Sequence, residues 1–398
     1  MSSSVSNLPT AQRETRWSLD TSIIALMIAG TSTFLDVYTT QALLPYLRKV
    51  YNATEVQVSL TISATTLATA ITAPVVGLWA ESIGRKKVIV PAIFGLSIPT
   101  LLAATSPSLE ALIFWRFAQG LFIPGIIAVI MAYINEEWAG RGVGVAMSAY
   151  VSGTVLGGFI GRLLPGLITS HFEWRMAFVV LAVLNLLGGF GVRKWLPPAE
   201  NFVASANIKA SVRDAIAHLR SPRLLSVFGM GFTVLFSLVG AFTYVNFYLA
   251  AAPFHLSPAE LGSVFFVYLL GLFVTPAAGK FMDRVGFLPT AVMALGMAAV
   301  GLLLTLPKNL PSIIAGLAVF SSGVFILQAT ATAQTGRVAG KSRSAAAGLY
   351  LTFYYGGGSL GAVLPGYVWL HYGWPGCVAL LLSAGALTLA LAIASSRA

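Results

Sequence analysis

The chain has 398 residues, of which 57% are hydrophobic and 9% charged, against about 25% charged in ordinary soluble domains. A water-soluble fold of this length cannot hide so much apolar surface, so lipid must solvate much of it. The net charge of +11 would suit a polyanion, but Lys and Arg fall in short breaks between apolar runs, which is the pattern of membrane topology, and no nucleic-acid partner is expected.

Residues 1–18 form a polar tail carrying Arg13 and Arg16. The apolar run behind it is too long for a signal peptide and has no small-residue cleavage site, so it reads as an uncleaved first span. Spans are predicted near 19–46, 56–80, 87–106, 109–134, 143–169 and 175–196, making an N-terminal six-helix bundle over 19–196. Each approaches the roughly 20 residues a crossing helix needs. A polar break, 197–222, follows as a linker. Its segment IKASVRDAIAHLRS spaces Ile208, Val212, Ala215, Ile216 and Leu219 helically among Lys209, Arg213 and Arg220, the pattern of a helix lying on the inner membrane surface; a loosely ordered linker is the alternative. Six more spans, near 223–250, 260–279, 287–306, 311–335, 345–369 and 375–394, form a C-terminal bundle over 223–398. Cys377 is the single cysteine, which excludes an internal disulfide framework.

With the N-terminus inside, eighteen of the 24 basic residues fall on the cytoplasmic side, four outside (Arg48, Lys49, Arg175, Lys308) and two within spans. That bias places both termini in the cytoplasm of a bacterial-type inner membrane. The chain also repeats. Pro74, Gly77, Glu81 and Gly84 recur 202 residues later as Pro276, Gly279, Asp283 and Gly286; Gly153 and Gly157 recur as Gly357 and Gly361; Pro165, Gly166, His171 and Trp174 recur as Pro365, Gly366, His371 and Trp374. Six spans per repeat make it parallel, so the expected fold is an all-α membrane protein of twelve helices in two bundles, with a site at the midplane between them.

These features resemble the major facilitator superfamily over essentially the whole chain. GLWAESIGRKK (77–87) is similar to that family's loop between spans two and three, with Glu81 where Asp is usual. RFAQG (116–120) resembles its basic motif of span four. SGTVLGGFIGRLLPG (152–166) resembles the glycine-rich span-five motif of antiporters, but Gly158 stands where that motif has Pro, and Arg162 where it has its final Gly. The GGFIGR run and YYGGGSLG (354–361) look like the YnfM-type (acriflavine-sensitivity) exporter branch. The resemblance implies that Gly77, Glu81, Gly84 and Arg85, with Asp283 and Arg284 in the second half, form a conformational latch that holds the cytoplasmic side shut. Arg141 is a candidate partner for Glu81. Physically, Gly77 permits close helix approach and Gly84 a tight turn; the alternative is that the basic residues only set topology.

Away from the span ends, the charged residues inside spans are Asp36, Arg116 and Arg162. Each costs about 2.5–3.5 kcal/mol at a helix centre on insertion scales. All three occupy the outer half of the first bundle, where they read either as a static ion pair with a spare arginine or as a proton-coupling cluster with Asp36 as the proton carrier. Burial favours a neutral carboxylic acid and a nearby arginine favours its ion by a comparable amount, so small movements would switch the proton. With Asp36 ionised the three sum to +1, which suits a neutral solute or an organic anion gripped by Arg116 or Arg162. The exporter resemblance points instead to cationic dyes. In this superfamily spans one, four, seven and ten line the cavity, so Thr33, Thr40, Gln119, Tyr244, Asn246, Tyr248, Gln328 and Thr332 are its candidate lining; a helix–helix hydrogen bond is the alternative for each. Gly153/Gly157 and Gly357/Gly361 are expected to mark close packing across the two halves.

No phosphate-binding loop, zinc spacing or nucleophile elbow is present, so the chain is not expected to be an enzyme or to need a metal or cofactor. The reading is a proton-coupled secondary transporter, an exporter of a small organic solute or drug, acting as a monomer in the bilayer on its substrate and protons. A proton symporter importing an organic acid or sugar, and a non-transporting sensor on the same scaffold, stay open as alternatives.

Overall fold

The computed structural model describes residues 11–139, 142–201, 208–339 and 343–397. Arg141 and the side chain of Glu81 lie outside this description. The chain folds as α1 (Ala11–Val37), a 3-10 turn (Gln41–Leu43), α2 (Leu44–Val50), α3 (Glu55–Ile83), α4 (Arg85–Ala103), α5 (Leu109–Phe122), α6 (Pro124–Glu137), α7 (Val143–Thr169) and α8 (Trp174–Trp195). It continues as α9 (Ile208–Leu219), α10 (Pro222–Ala250), α11 (Pro258–Ser263), a 3-10 segment (Val264–Leu270), α12 (Gly271–Val285), α13 (Phe287–Leu304), α14 (Leu310–Val338) and α15 (Arg343–Arg397).

Eleven runs among the described residues are long and apolar enough to cross a membrane, and the last, Ala345–Ser396, has 52 residues. At 1.5 Å per residue that run would measure about 78 Å, more than twice a bilayer core of about 30 Å. It is two spans that meet at Gly373, whose φ of 58° and ψ of −150° are not helical, and the expected twelve crossings are recovered. The other departures from plain spans have local causes. Pro124 starts a new helix within span four, since proline cannot donate into a continuing helix. Span one breaks at residues 38–43 and span eight carries seven residues of 3-10 helix.

Turn chemistry bounds the spans where the sequence repeats. Gly84 (φ 101°) and Gly286 (φ 93°) join spans two to three and eight to nine, a backbone region open to glycine at little cost. Thr54 with Gln57, and Ser257 with Glu260, form capping boxes at the starts of α3 and α11, satisfying amides that open a helix.

The glycine pairs mark close packing, but within each half. A Cβ on Gly153, Gly157 or Gly161 of α7 would strike the backbone of α1 at Met27, Thr31 or Leu35, and one on Gly357 or Gly361 of α15 would strike α10 at Phe232 or Phe236. The pairing is the same in both bundles, span five on one and eleven on seven, as the repeat requires. The expectation of packing across the halves is therefore corrected, because the glycines face their own bundle's first helix.

Contacts between bundles lie toward the end of the molecule away from the termini. Gly166 packs on Pro258, and a Cβ on Gly262 would sit 2.9 Å from the Arg162 carbonyl and 3.1 Å from Leu163 Cα. The hydroxyls of Ser63 and Ser359 bond at 2.8 Å. Nearer the termini, Gly77, Gly144, Gly279 and Gly348 have no atom of the described residues within 4 Å of where a Cβ would stand. The close contacts between the bundles named above thus gather at the far end.

Valine at Gly153 and at Gly144 tests this packing within one helix. Gly153→Val is expected to destabilise by at least the roughly 1–3 kcal/mol typical of overpacking, read as a large drop in melting temperature of the detergent-purified protein. Gly144→Val should leave it near the wild-type value.

Candidate functional site

Span one breaks where its polar residues cluster. A helix that stops leaves the carbonyls of its last turn without amide partners, and in lipid the protein itself must satisfy them. Arg116, projecting from α5, does so. Its Nη1 donates to the Asp36 carbonyl (2.6 Å), its Nη2 to the Val37 carbonyl (2.7 Å) and its Nε to the Thr61 carbonyl of α3 (3.1 Å). Nη1 also donates to Gln119 Oε1, and Gln119 Nε2 passes the network to Thr100 Oγ1 at 2.8 Å. A cation at a helix C-terminus is further favoured by the helix dipole.

Arg116 therefore engages the backbone of Asp36, not its carboxylate. The Asp36 side chain points instead to α8, where Asn185 Nδ2 donates to Oδ2. Its other oxygen, Oδ1, is buried without a hydrogen-bond partner among the described residues, as is Asn185 Oδ1. The salt bridges among the described residues involve none of Asp36, Arg116 and Arg162.

Arg162 occupies a second site, at the seam between the bundles. Its Nε donates to Gln41 Oε1 (2.7 Å) and its Nη1 to the Gly158 carbonyl (2.5 Å). Three rings surround the guanidinium, with centroids at 4.5 Å for Tyr38, 4.8 Å for Phe265 and 4.9 Å for Tyr268, a cation–π arrangement. Tyr38 comes from the break in span one. Phe265 and Tyr268 come from the 3-10 segment of span eight, where a three-residue repeat puts both on one face. Gln41 completes the seam: its Nε2 reaches Thr243 Oγ1 (3.2 Å), and its carbonyl accepts from Asn246 Nδ2 (2.9 Å).

The remaining candidates scatter. Thr33 and Thr40 are buried, Thr33 donating to the Ala29 carbonyl (2.8 Å) of its own helix and Thr40 accepting from Thr61 (3.0 Å). Gln119 belongs to the Arg116 network. Tyr244 donates to the Ala362 carbonyl (2.9 Å) and Asn246 holds the seam. Tyr248 stacks on Trp374 at 5.9 Å near the far end. Gln328 is half-buried and Thr332 exposed, its hydroxyl bonded to the Gln328 carbonyl.

In the loop of spans two and three, Arg85 forms a two-pronged ion pair with Glu136 at the end of span four, Nη2 to Oε1 at 2.6 Å and Nε to Oε2 at 3.1 Å. The corresponding loop of the second half pairs Asp283 with Arg337 at 3.0 Å, both well exposed. The same loop-to-helix tie recurs with its charges reversed. Arg284, in the last turn of α12, is exposed. Asn185, Gln41, Tyr38 and Tyr268 are not among the candidates read from the sequence. A lone Asn in the apolar run 175–196 and a Gln at position 41 were the signals available.

Fold and seam define a multi-pass α-helical membrane transporter of two six-helix bundles. The chain belongs to the Major Facilitator Superfamily, whose family description matches residues 26–252 and 234–396. It is similar to the inner membrane transport protein YnfM of Escherichia coli (strain K12), 34% identical over 354 residues, which are 89% of this chain and 85% of that one. It is likewise similar to the uncharacterized MFS-type transporter YybF of Bacillus subtilis (strain 168), 32% identical over 358 residues, 90% of this chain and 89% of that one. Among solved structures, a bacterial homolog to the human lysosomal transporter Spinster, in an inward-facing and occupied conformation, matches in fold with a TM-score of 0.75 at 14% identity, over 94% of this chain and 96% of that one.

Removing the Arg116 side chain takes away the donor to the Val37 carbonyl and a charge-assisted bond from each of the Asp36 and Thr61 carbonyls, which keep Thr39 and Thr65 as donors. Arg116→Met is expected to cost about 3–5 kcal/mol, seen as a fall in melting temperature well beyond that of Gln119→Leu, which leaves those three bonds in place.

Proposed function

We propose that the chain is a proton-coupled exporter of a small organic solute, working by alternating access in a bacterial-type cytoplasmic membrane with both termini inside. The distribution of Lys and Arg supports the orientation. With the termini inside, the far end, where the close contacts between the bundles gather, faces out, which supports an inward-facing state. Export, in place of uptake by symport, rests on the likeness of the α7 glycine run to the antiporter motif.

The observation that carries proton coupling is the buried Asp36 carboxylate, whose Oδ1 makes no hydrogen bond among the described residues. That oxygen is the free acceptor on which a proton would sit. Its backbone carbonyl is held by Arg116, so a change in charge at the carboxylate acts directly on the break in span one and on the Tyr38 and Gln41 side chains just beyond it. Protonation and bundle movement are thereby linked through one short stretch of chain. Arg162 senses the same stretch from the seam, through Gln41 and Tyr38.

The loop glycines carry the latch. Gly77 and Gly279 have no described residue within 4 Å of their Cβ positions here, and they come into contact when the cytoplasmic ends draw together. Arg85 is held ready by Glu136, and Asp283 by Arg337; Gly84 and Gly286 set the turns.

Two measurements test these assignments. In proteoliposomes screened with dyes, sugars and organic acids, an imposed pH difference drives whichever solute the wild type carries. Asp36→Asn is expected to carry the same solute downhill while losing the pH drive; pH-driven transport that survives intact rules out Asp36 as the coupling group. Gly77→Leu is expected to leave the melting temperature unchanged, since no described residue lies within 4 Å of its Cβ position, and to lower transport at least about tenfold by blocking close helix approach.

A further inference from the structure

The two intramembrane arginines differ in what they have left to give. Arg116 spends all three nitrogens on protein acceptors. Arg162 commits Nε and Nη1, while Nη2 has no protein partner among the described residues and is not among the sealed, unpartnered polar atoms, so it reaches open space. Its residue is nonetheless 2% exposed. A buried cation with one unused N–H edge, and no carboxylate within salt-bridge distance among the described residues, lacks its counter-charge.

Its surroundings supply the rest of a site. Tyr38, Tyr268, Tyr354 and Tyr355 are all buried, from spans one, eight and eleven. None of the four hydroxyls bonds to protein among the described residues, and none is sealed from open space. The Tyr38 and Tyr268 rings both lie within 5 Å of the Arg162 guanidinium carbon, at 4.5 and 4.9 Å. The Tyr354 and Tyr355 rings meet edge to face at 5.4 Å, and the Tyr268 ring covers the guanidinium. Arg162 Nη2 and the four hydroxyls are thus left without hydrogen-bond partners among the described residues, beside aromatic rings from both bundles.

We propose that Arg162 and these tyrosines bind an organic carboxylate with a flat apolar body, and that this anion is the solute the transporter carries. Arginine holds a carboxylate by a charge-assisted bond. The hydroxyls donate to its remaining lone pairs, and the rings take the apolar body. A cation in the same place meets the unneutralised guanidinium and is repelled, which decides against a permanently cationic dye. Walls from both bundles meet at the ligand, so its binding bears on their separation. The proposal rests on the reading of the chain as a transporter with its substrate between the bundles; it does not rest on proton coupling.

The test is equilibrium binding to the purified full chain in detergent, with no proton gradient, so that its outcome is separate from the fate of Asp36. Thermal stabilisation is measured with 1-naphthoate and benzoate, with sulfate at matched ionic strength, and with tetraphenylphosphonium as an aromatic cation. A ligand of the native state raises the melting temperature by mass action. The carboxylates are expected to stabilise and the other two ions not to. Arg162→Gln is expected to weaken naphthoate at least about tenfold, with Arg162→Lys between it and the wild type. The doubly substituted Tyr268→Phe, Tyr354→Phe protein keeps both rings, so it tests the site even if Arg162→Gln fails to fold; it is expected to lose at least about threefold in affinity. Stabilisation by tetraphenylphosphonium or sulfate in place of the carboxylates, stabilisation by none of the probes, or wild-type naphthoate affinity in the substituted proteins would each overturn the proposal.

Discussion

Arg116 and the broken end of span one are the interaction on which the rest of the first bundle depends. A membrane-embedded helix can stop only where something replaces the amides its last carbonyls lose. Here one guanidinium, with Thr39, caps the Asp36 and Val37 carbonyls and also reaches the Thr61 carbonyl of a neighbouring helix. The break then turns Tyr38 and Gln41 out of the helical path and into the seam, where one covers Arg162 and the other bonds to it. It also leaves Asp36 at the helix end, its carboxylate toward α8 and its carbonyl on the arginine. Stability and candidate chemistry share one set of bonds, which is why Arg116 is a poor choice for a residue that must let go and grip a solute.

The second bundle answers with a break of its own. In span eight the 3-10 segment brings Phe265 and Tyr268 onto one face against Arg162. An α-helix would separate residues three apart by about 300° of rotation; the tighter helix returns them to register. Irregular backbone in both bundles thus meets at the same arginine. The division of labour follows. The deep charges all belong to the first bundle, and the second contributes rings and hydroxyls that stabilise a cation without neutralising it.

The sequence made the architecture legible because its signals are local. Apolar run length, the basic-residue bias and the recurrence of Gly84 as Gly286 each concern a few neighbouring residues, and positive φ at both glycines bears out the expected turns. Asp36, Arg116 and Arg162 stood out for their cost in lipid alone. Their partners did not, because a partner is set by the rotation and depth of another helix. Nothing near position 116 says that its arginine faces a helix end 80 residues away, and nothing near 85 says that its arginine meets Glu136 instead of a residue in its own loop. The glycine pairs show the same limit. Small-residue spacing announces close packing, but whether the neighbour is in the same bundle depends on which face the stripe takes, and here it faced inward to α1 and α10.

The glycines also say what kind of motion this packing permits. In α7, Gly153, Gly157 and Gly161 are pressed against α1, while Gly144 nearer the terminal end is pressed against no described residue; in α15, Gly357 and Gly361 are pressed against α10, while Gly348 likewise is not. Packed interiors resist continuous deformation, so these tightly fitted helix pairs move as bodies, and the freedom lies between the bundles. Among the described residues, polar contacts across the seam centre on Gln41, Asn246 and the Ser63–Ser359 bond. Rocking that opens the far end therefore breaks these hydrogen bonds and one arginine box, and leaves the helix pairs intact. On the proposed function, the energy separating the two states would be set largely by what occupies the arginine box and by the charge on the carboxylate that anchors the break beside it.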